Sequence, residues 1–167
     1  MIMSQAHMHL LITHLPIYGS ILGSIVLAYG LWTKSNHTKI AAYTVFIISS
    51  IGAGIAYLTG EAAEEKVEDI QGVAKKMIEE HEEFALIALV SLIILGLASI
   101  VGLFLTLRKP PLAKTISWVI LLISFISFGL VAWTGYMGGQ IRHTEINSNT
   151  TIQVQGGESN ENNKSMK

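Results

Sequence analysis

Long stretches without a charged residue alternate with short polar stretches along most of this chain. Four windows contain no Asp, Glu, Lys or Arg: residues 15–32, 40–59, 84–107 and 116–140. A helix needs about 20 apolar residues to cross a hydrocarbon core of about 30 Å, and each window is near or above that length. The alternative, a soluble four-helix bundle, would carry a polar stripe along each helix, and these windows show none. The pattern therefore predicts four membrane spans.

The predicted fold is all-α: an integral membrane four-helix bundle made of two antiparallel hairpins. We place the transmembrane domain at residues 1–145, with spans at about 10–32, 40–59, 84–107 and 113–136. Pro16 should either begin the regular part of the first helix or kink it, because proline disfavours helical backbone in the residue before it. Gly138 and Gly139 should loosen the chain after the fourth span.

The stretch between the second and third windows is highly charged, but its apolar positions recur at helical spacing. These positions are Ala63, Val67, Ile70, Ala74, Met77, His81 and Phe84. With charges on the other face, they predict an amphipathic helix at about residues 61–81, at or above the bilayer surface. His81 lies on the apolar stripe of this helix. Residues 146–167 contain little that could be buried, which predicts a disordered polar tail.

Composition narrows the possible classes of function. Hydrophobic residues make up 50% of the chain, charged residues 14%, and the mean hydropathy is +0.49, which is typical of a membrane protein. There is no cysteine, so disulfides and thiolate metal sites are excluded. A net charge of −1 argues against a nucleic-acid partner. The first eight residues lack the basic region of a signal peptide, so we expect the first span to stay in the mature protein.

Charges are divided between the two ends of the predicted bundle. The basic residues Lys34, Lys39, Arg108, Lys109 and Lys114 lie in or beside the two short turns, and all 12 acidic residues lie at the opposite end. Basic residues near span ends favour the cytoplasmic side of a membrane. We therefore expect the two turns in the cytoplasm, and both termini outside.

Most of the histidines also belong to the acidic end: His7, His9, His14, His81 and His143. They come from the first, third and fourth spans, and the second span adds Glu61 and Glu64. In a four-helix bundle such positions converge on one end, where cofactor sites are built from facing helices. A single histidine at a membrane interface usually only caps a helix end or extends its ring towards the polar surface. Polar groups at the boundary of an uncharged span are nevertheless costly and tend to be functional, so we predict a joint site.

Two kinds of cofactor suit this set of side chains. Haem b needs two axial imidazoles and small residues that form a slot, and His14 and His81 supply the imidazoles if the first and third spans lie diagonally. His143 lies at the same end. The glycines that would thin the walls of the slot are Gly19, Gly52, Gly54, Gly60 and Gly135. A bare zinc, iron or copper ion is the alternative, with predicted ligands His9, His14, Glu61, Glu64, His81 and His143.

Sequence motifs of catalysis and transport are missing. No Ser/His/Asp spacing, nucleophile elbow or phosphate loop occurs, and no span carries an ionisable residue near its middle, as a transporter would. The favoured function is therefore electron transfer through a bound haem or metal, by a small redox protein or by a subunit of a larger membrane complex. The alternative is a cofactor-free structural or assembly subunit whose histidines line an interface.

Several motifs together resemble a known family. They are His9-Leu10-Leu11-Ile12-Thr13-His14-Leu15-Pro16, Thr59-Gly60, His81, and the segment from Thr134 through Gly138-Gly139 to His143. In this combination residues 8–145 resemble the bacterial four-span membrane proteins of "domain of unknown function 2231". The family pattern has a proline where this chain has Leu10 and a phenylalanine where it has Leu15. The resemblance implies an integral membrane protein. In a bacterium this multi-pass protein would lie in the inner membrane, and the outside to which the charges assign both termini would be the periplasm. The resemblance also implies a haem or metal role for His9, His14, His81 and His143.

Overall fold

The structure is a computed structural model that describes residues 5–64, 75–108 and 111–164, with side chains described over 12–60, 79–108 and 111–140. These residues form four helices: α1 (Gln5–Trp32), α2 (Asn36–Glu64), α3 (Lys75–Arg108) and α4 (Leu112–Lys164). Each helix contains one segment long and apolar enough to cross a bilayer: Ile12–Trp32, Asn36–Gly60, Glu79–Arg108 and Leu112–Gln140. The prediction of four spans is confirmed.

Helix boundaries differ from the sequence expectation in three places. Helix α1 runs through Pro16, so the regular helix does not begin there. Residues 61–64 and 75–81 belong to the ends of α2 and α3, and residues 65–74, the middle of the predicted amphipathic helix, lie outside the described residues. The backbone of α4 continues as helix to Lys164. Side chains after Gln140 are outside the described set, so the disordered tail stays a prediction.

The four helices pack in the order in which they occur along the chain. Helix α1 packs on α2 and α4, and α3 packs on the same two helices. Consequently α1 and α3 lie diagonally opposite each other across the bundle, as do α2 and α4. This is the arrangement of two antiparallel hairpins that the sequence predicts, and it fulfils the condition stated for His14 and His81.

The outer surface of the bundle is apolar along its whole length. Large side chains such as Leu22, Ile51, Leu97 and Leu122 are exposed, and a soluble monomer does not show apolar surface on this scale. Exposed aromatic residues mark both ends: Tyr18, Tyr57, Trp133 and Tyr136 at one, and Tyr29, Trp32 and Trp118 at the other. The rise from Trp118 to Tyr136 is about 27 Å at 1.5 Å per residue, close to the thickness of a hydrocarbon core.

The interior, in contrast, is rich in hydroxyl groups. Seven serines are buried: Ser20, Ser24, Ser49, Ser99, Ser117, Ser124 and Ser127. Ser24 Oγ of α1 lies 2.7 Å from Ser124 Oγ of α4. Ser117 donates to the carbonyl of Ala113, so the hydroxyl of Tyr43, 2.7 Å from Ser117 Oγ, must donate to it. This bond joins α2 to α4 across the centre of the bundle.

Glycines bring the helices into direct contact. A Cβ atom added at Gly23 of α1 would lie 2.5 Å from the ring of Phe46 on α2. Gly19 meets Ser49 in the same seam, and Gly96 of α3 meets Ser50 of α2. Small residues allow such close approach in lipid. Gly54 of α2, four residues after Ser50, has no atom within 4 Å of its Cβ position and therefore makes no such contact.

We predict that Gly23→Ala destabilises the bundle and that Gly54→Ala does not. Alanine favours the helix by about 1 kcal/mol over glycine. At Gly23, however, the new methyl group must displace the buried Phe46 ring, and such overpacking costs about 1–3 kcal/mol. Unfolding midpoints in detergent should therefore fall for Gly23→Ala, and should stay level or rise for Gly54→Ala. Equal shifts in the two variants would contradict the packing of α1 on α2.

Candidate functional site

The predicted site lies at the acidic end of the bundle. We call this end the histidine rim and define it by the described residues 12–17, 56–60, 79–84 and 134–140. It consists of the first turns of the α1 and α3 spans and the last turns of the α2 and α4 spans. Because α1 and α3 are diagonal, the full width of the bundle separates His14 from His81.

Helix α4 shows that His14 and His81 lie at the same height. Ile17 of α1 is in contact with Gly135, and His81 of α3 is in contact with Gly138. Gly138 follows Gly135 by three residues, a rise of about 4.5 Å. His14 precedes Ile17 by the same number of residues, and α1 runs antiparallel to α4. Both histidines are therefore level with Gly138.

His81 lies on the inward side of α3. It is half-buried, and its Nδ1 atom is inaccessible to solvent. The buried residues Ala88, Leu92 and Leu95 continue the same face of the helix. A Cβ atom at Gly138 would lie 3.1 Å from Cε1 of His81, so the imidazole rests directly on the backbone of α4. The imidazole is therefore held between two helices.

A hydrogen bond between α3 and α4 supports the contact of His81 with Gly138, one turn further into the bundle. Thr134 Oγ1 lies 3.3 Å from the carbonyl oxygen of Phe84, one turn deeper in the bundle. The same hydroxyl is 2.9 Å from the carbonyl of Leu130 in its own helix. Together with the Gly138 contact, this interaction sets the position of the first turns of the α3 span against α4.

His14 is directed differently. Its side chain is exposed and stacks on Tyr18, with ring centroids 6.0 Å apart and an interplanar angle of 18°. Its helical face continues through the exposed residues Leu22 and Ile25. The imidazole of His14 therefore lies on the outer surface of α1, whereas that of His81 faces the interior.

The remaining predicted ligands belong to the same end of the bundle by their place in the helices. His9 is in α1, Glu61 and Glu64 are in the last turns of α2, and His143 is in α4 after Gln140. Their side chains lie outside the described set. Over residues 12–60, 79–108 and 111–140, no three His, Asp or Glu side chains form a group that could hold a metal ion. The joint site therefore stays a prediction.

The glycines expected to form a haem slot mostly serve contacts between helices. Gly19 faces Ser49, Gly52 faces Leu15, and Gly135 faces Ile17. The space beside these three glycines is thus occupied by protein side chains. Together with the outward direction of His14, these contacts do not fit a haem held between α1 and α3.

Two residues with a role at the rim were not found from the sequence. Gly138 was expected to loosen the chain together with Gly139, but α4 is continuous there and Gly138 receives the His81 ring. Nothing in the local sequence indicates this contact, because its partner is more than fifty residues away. Tyr18 could have been found, since residues four apart on a helix are neighbours.

Comparisons with protein-family models, with curated proteins and with solved structures find no match. The resemblance to "domain of unknown function 2231" therefore stays a prediction. The function is inferred below from the geometry of the histidine rim and from the chemistry of its residues.

We predict that Gly138→Ala moves the His81 imidazole and that Gly139→Ala leaves it in place. The first substitution adds a methyl group 3.1 Å from Cε1 of His81, whereas the second adds one where no atom lies within 4 Å. In protein labelled with ¹⁵N at histidine, the His81 ring signals should shift in Gly138→Ala only. The His14 signals should not change in either variant. Equal shifts of His81 in both variants would mean that its ring does not rest on Gly138.

Proposed function

We propose that this protein is an integral membrane metalloprotein that binds a transition-metal ion at the histidine rim, with His81 as the central ligand. The observation that supports the proposal is the placement of the His81 imidazole. It lies on the inward face of α3, fixed against Gly138, at the end to which the sequence assigns four of the other five histidines and the acidic residues. A ligand held in one orientation is what a metal site requires.

The chemistry of the surrounding side chains suits a metal of intermediate softness. Imidazole nitrogen with carboxylate oxygen is a donor set used for zinc and iron, and imidazole also suits copper. Glu79, Glu80, Glu82 and Glu83 are exposed beside His81 at this rim. Glu61, Glu64, His9 and His143 complete the proposed set by their position in the helices.

Haem b remains the competing cofactor, but the geometry favours an ion. The two imidazoles are level and on diagonal helices, as a haem would need. His14, however, stacks on Tyr18 at the outer surface, and three of the five glycines of the expected slot, Gly19, Gly52 and Gly135, contact protein side chains. A bound ion needs only His81 and ligands from the neighbouring α2 and α4, so no rearrangement of α1 is required.

Electron transfer is the role we propose for such a centre. A bound iron or copper ion would supply one-electron chemistry, and His81 would hold it at the membrane surface, within reach of a redox partner or of another subunit of a membrane complex. A zinc ion at the same position would instead have a structural role.

A cofactor-free structural subunit is the second candidate, and one observation favours it. The His81 ring covers Gly138 as an apolar packing side chain would, and His14 is stacked on an aromatic neighbour. Both histidines could then contribute to packing alone. The two candidates differ in whether the purified protein carries metal.

We predict that the purified protein carries about one equivalent of iron, copper or zinc and that His81→Ala loses most of it. Loss of one imidazole typically lowers metal affinity by more than the 10–100-fold seen for outer-shell changes. Elemental analysis after gel filtration measures the metal, and an absorption spectrum of the reduced protein reveals any haem. His37→Ala is the matched control, because His37 is exposed at the opposite end of the bundle.

Three outcomes of this experiment are distinct. Metal that is lost in His81→Ala and kept in His37→Ala supports the proposed ion site. A Soret band that disappears in both His14→Ala and His81→Ala would replace the ion with haem b. Protein without metal or chromophore, with His81→Ala folded and equally empty, would leave the structural subunit.

We further propose that the histidine rim faces the periplasm of a bacterial inner membrane. The opposite end carries basic residues such as Lys34, Arg108 and Lys114, and no acidic residue occurs within residues 12–60 or 84–140. Basic residues beside short turns are retained in the cytoplasm. With an even number of spans, both termini would lie outside.

Labelling of introduced cysteines tests this orientation, because the chain has no cysteine of its own. Glu79 lies at the histidine rim and Lys34 in the turn between α1 and α2, and both side chains are exposed. In intact cells a membrane-impermeant maleimide should label Glu79→Cys and spare Lys34→Cys. After the membrane is opened, both should react. Labelling of Lys34→Cys alone in intact cells would reverse the topology.

A further inference from the structure

The end of the bundle opposite the histidine rim has a different chemistry. We call it the basic rim and define it by the described residues 29–39, 104–108 and 111–118. Its charged side chains are those of Lys34, Lys39, Arg108 and Lys114, and the sequence adds Lys109. No carboxylate occurs in these segments, so the cations there have no acidic partner within the rim.

The two turns of the basic rim present their cations differently. In the turn between α1 and α2, Lys39 is only 8% exposed, and its Cγ lies against Gly30. Its side chain is therefore part of the packing of α1 on α2. We call the end of α3 and the start of α4, residues 104–108 and 111–118, the α3–α4 seam, and there Arg108 and Lys114 are both exposed. Because Lys34 is also exposed, the turn between α1 and α2 offers one cation to a ligand, and the α3–α4 seam offers two.

Arg108 is held in a defined position on the membrane-facing surface. Its Cζ atom lies 4.8 Å from the centre of the Phe104 ring, one turn deeper in α3. Phe104 is itself 54% exposed, on the surface that the spans turn towards lipid. A guanidinium over an aromatic face is favourable, and here it keeps the charge at the boundary between the apolar belt and the rim.

The surroundings of Arg108 are apolar on the side of the membrane. Leu107 precedes Arg108 in the chain and is exposed, as are Leu112 and Trp118 in the first turns of α4. The seam therefore offers two cations above and an apolar surface below. This combination matches an amphiphile, whose anionic head would meet Arg108 and Lys114 and whose acyl chains would lie along Phe104 and Leu107.

We propose that the α3–α4 seam of the basic rim is a binding site for an anionic phospholipid, with Arg108 and Lys114 binding the phosphate. Guanidinium groups bind phosphate through paired hydrogen bonds, and lysine adds a second charge. The apolar flank distinguishes the site from one for free phosphate, which would gain nothing from exposed leucines. The site is independent of the histidine rim and of any metal there.

The proposal can be tested by fluorescence quenching with brominated lipids. The reporter is Trp118, which is 54% exposed at the start of α4, kept as the only tryptophan by Trp32→Phe and Trp133→Phe. The full-length protein is reconstituted into vesicles of phosphatidylcholine with increasing brominated phosphatidylglycerol. The same series with brominated phosphatidylcholine gives the reference. Phosphatidylglycerol should quench at lower mole fractions than phosphatidylcholine does.

Charge-removing variants then locate the site. Each cation near a membrane surface contributes about five-fold to the affinity for anionic lipid, so Arg108→Gln with Lys114→Gln should lower the preference roughly 25-fold. Lys75→Gln with Lys76→Gln is the matched control, since it removes the same charge from the start of α3 at the opposite end. Arg108→Lys should retain part of the preference, because it keeps the charge but not the paired hydrogen bonds.

Each result decides for or against the site. Loss of preference in the Arg108/Lys114 pair alone supports it, and the single variant Lys114→Gln, at an exposed position, repeats the test with little risk to folding. Equal loss in the Lys75/Lys76 pair would show a general effect of net charge and overturn the proposal. The absence of any preference in the parent protein would also overturn it. Reversal of quenching by inorganic phosphate would assign the site to a free anion.

Discussion

The bundle depends on close approach of helix backbones in an environment where burial of apolar side chains provides no driving force. Lipid chains are as apolar as leucine, so helices associate through packing and hydrogen bonds. Gly19, Gly23 and Gly96 supply the packing. The pair of Ser24 and Ser124 supplies a hydrogen bond in the core. Large apolar side chains such as Leu27 and Phe46 are buried in the core, but many others are exposed on the outer surface.

Close packing on glycine also holds the helices together at the histidine rim. Gly135 and Gly138 are one turn apart on α4, and each receives a side chain from a different neighbour: Ile17 from α1 and His81 from α3. The same device that packs the interior therefore continues to the membrane surface. A change of ring position at His81 must be transmitted to α4, and from α4 to α1. The histidine rim is thus packed together with the rest of the bundle.

Much of the fold could be predicted from the sequence because the signal is simple. Charge-free windows predict the spans, and the two spans between His14 and His81 place both histidines at one end of the bundle. The apolar stripe also predicts the packing side of the helix for His81, but nothing in the sequence gives the direction of His14. His14 and His81 both stand at the boundary of an apolar window, yet one faces outward and one inward. That difference depends on the rotation of each helix about its axis, which contacts far apart in the chain determine. Gly54 is a second example: its spacing from Ser50 is correct for packing, but its helix presents it where no neighbour lies within 4 Å.

The side chain of Tyr43 fills the centre of the bundle. It reaches Ser117 from the diagonally opposite helix, and both side chains are fully buried. The ring of Tyr43 also lies against Gly102 of α3. Because it contacts two other helices, Tyr43 occupies the central axis of the bundle at that level. At that level the centre of the bundle is therefore filled by protein side chains, which separates the interior beneath the histidine rim from the interior beneath the basic rim.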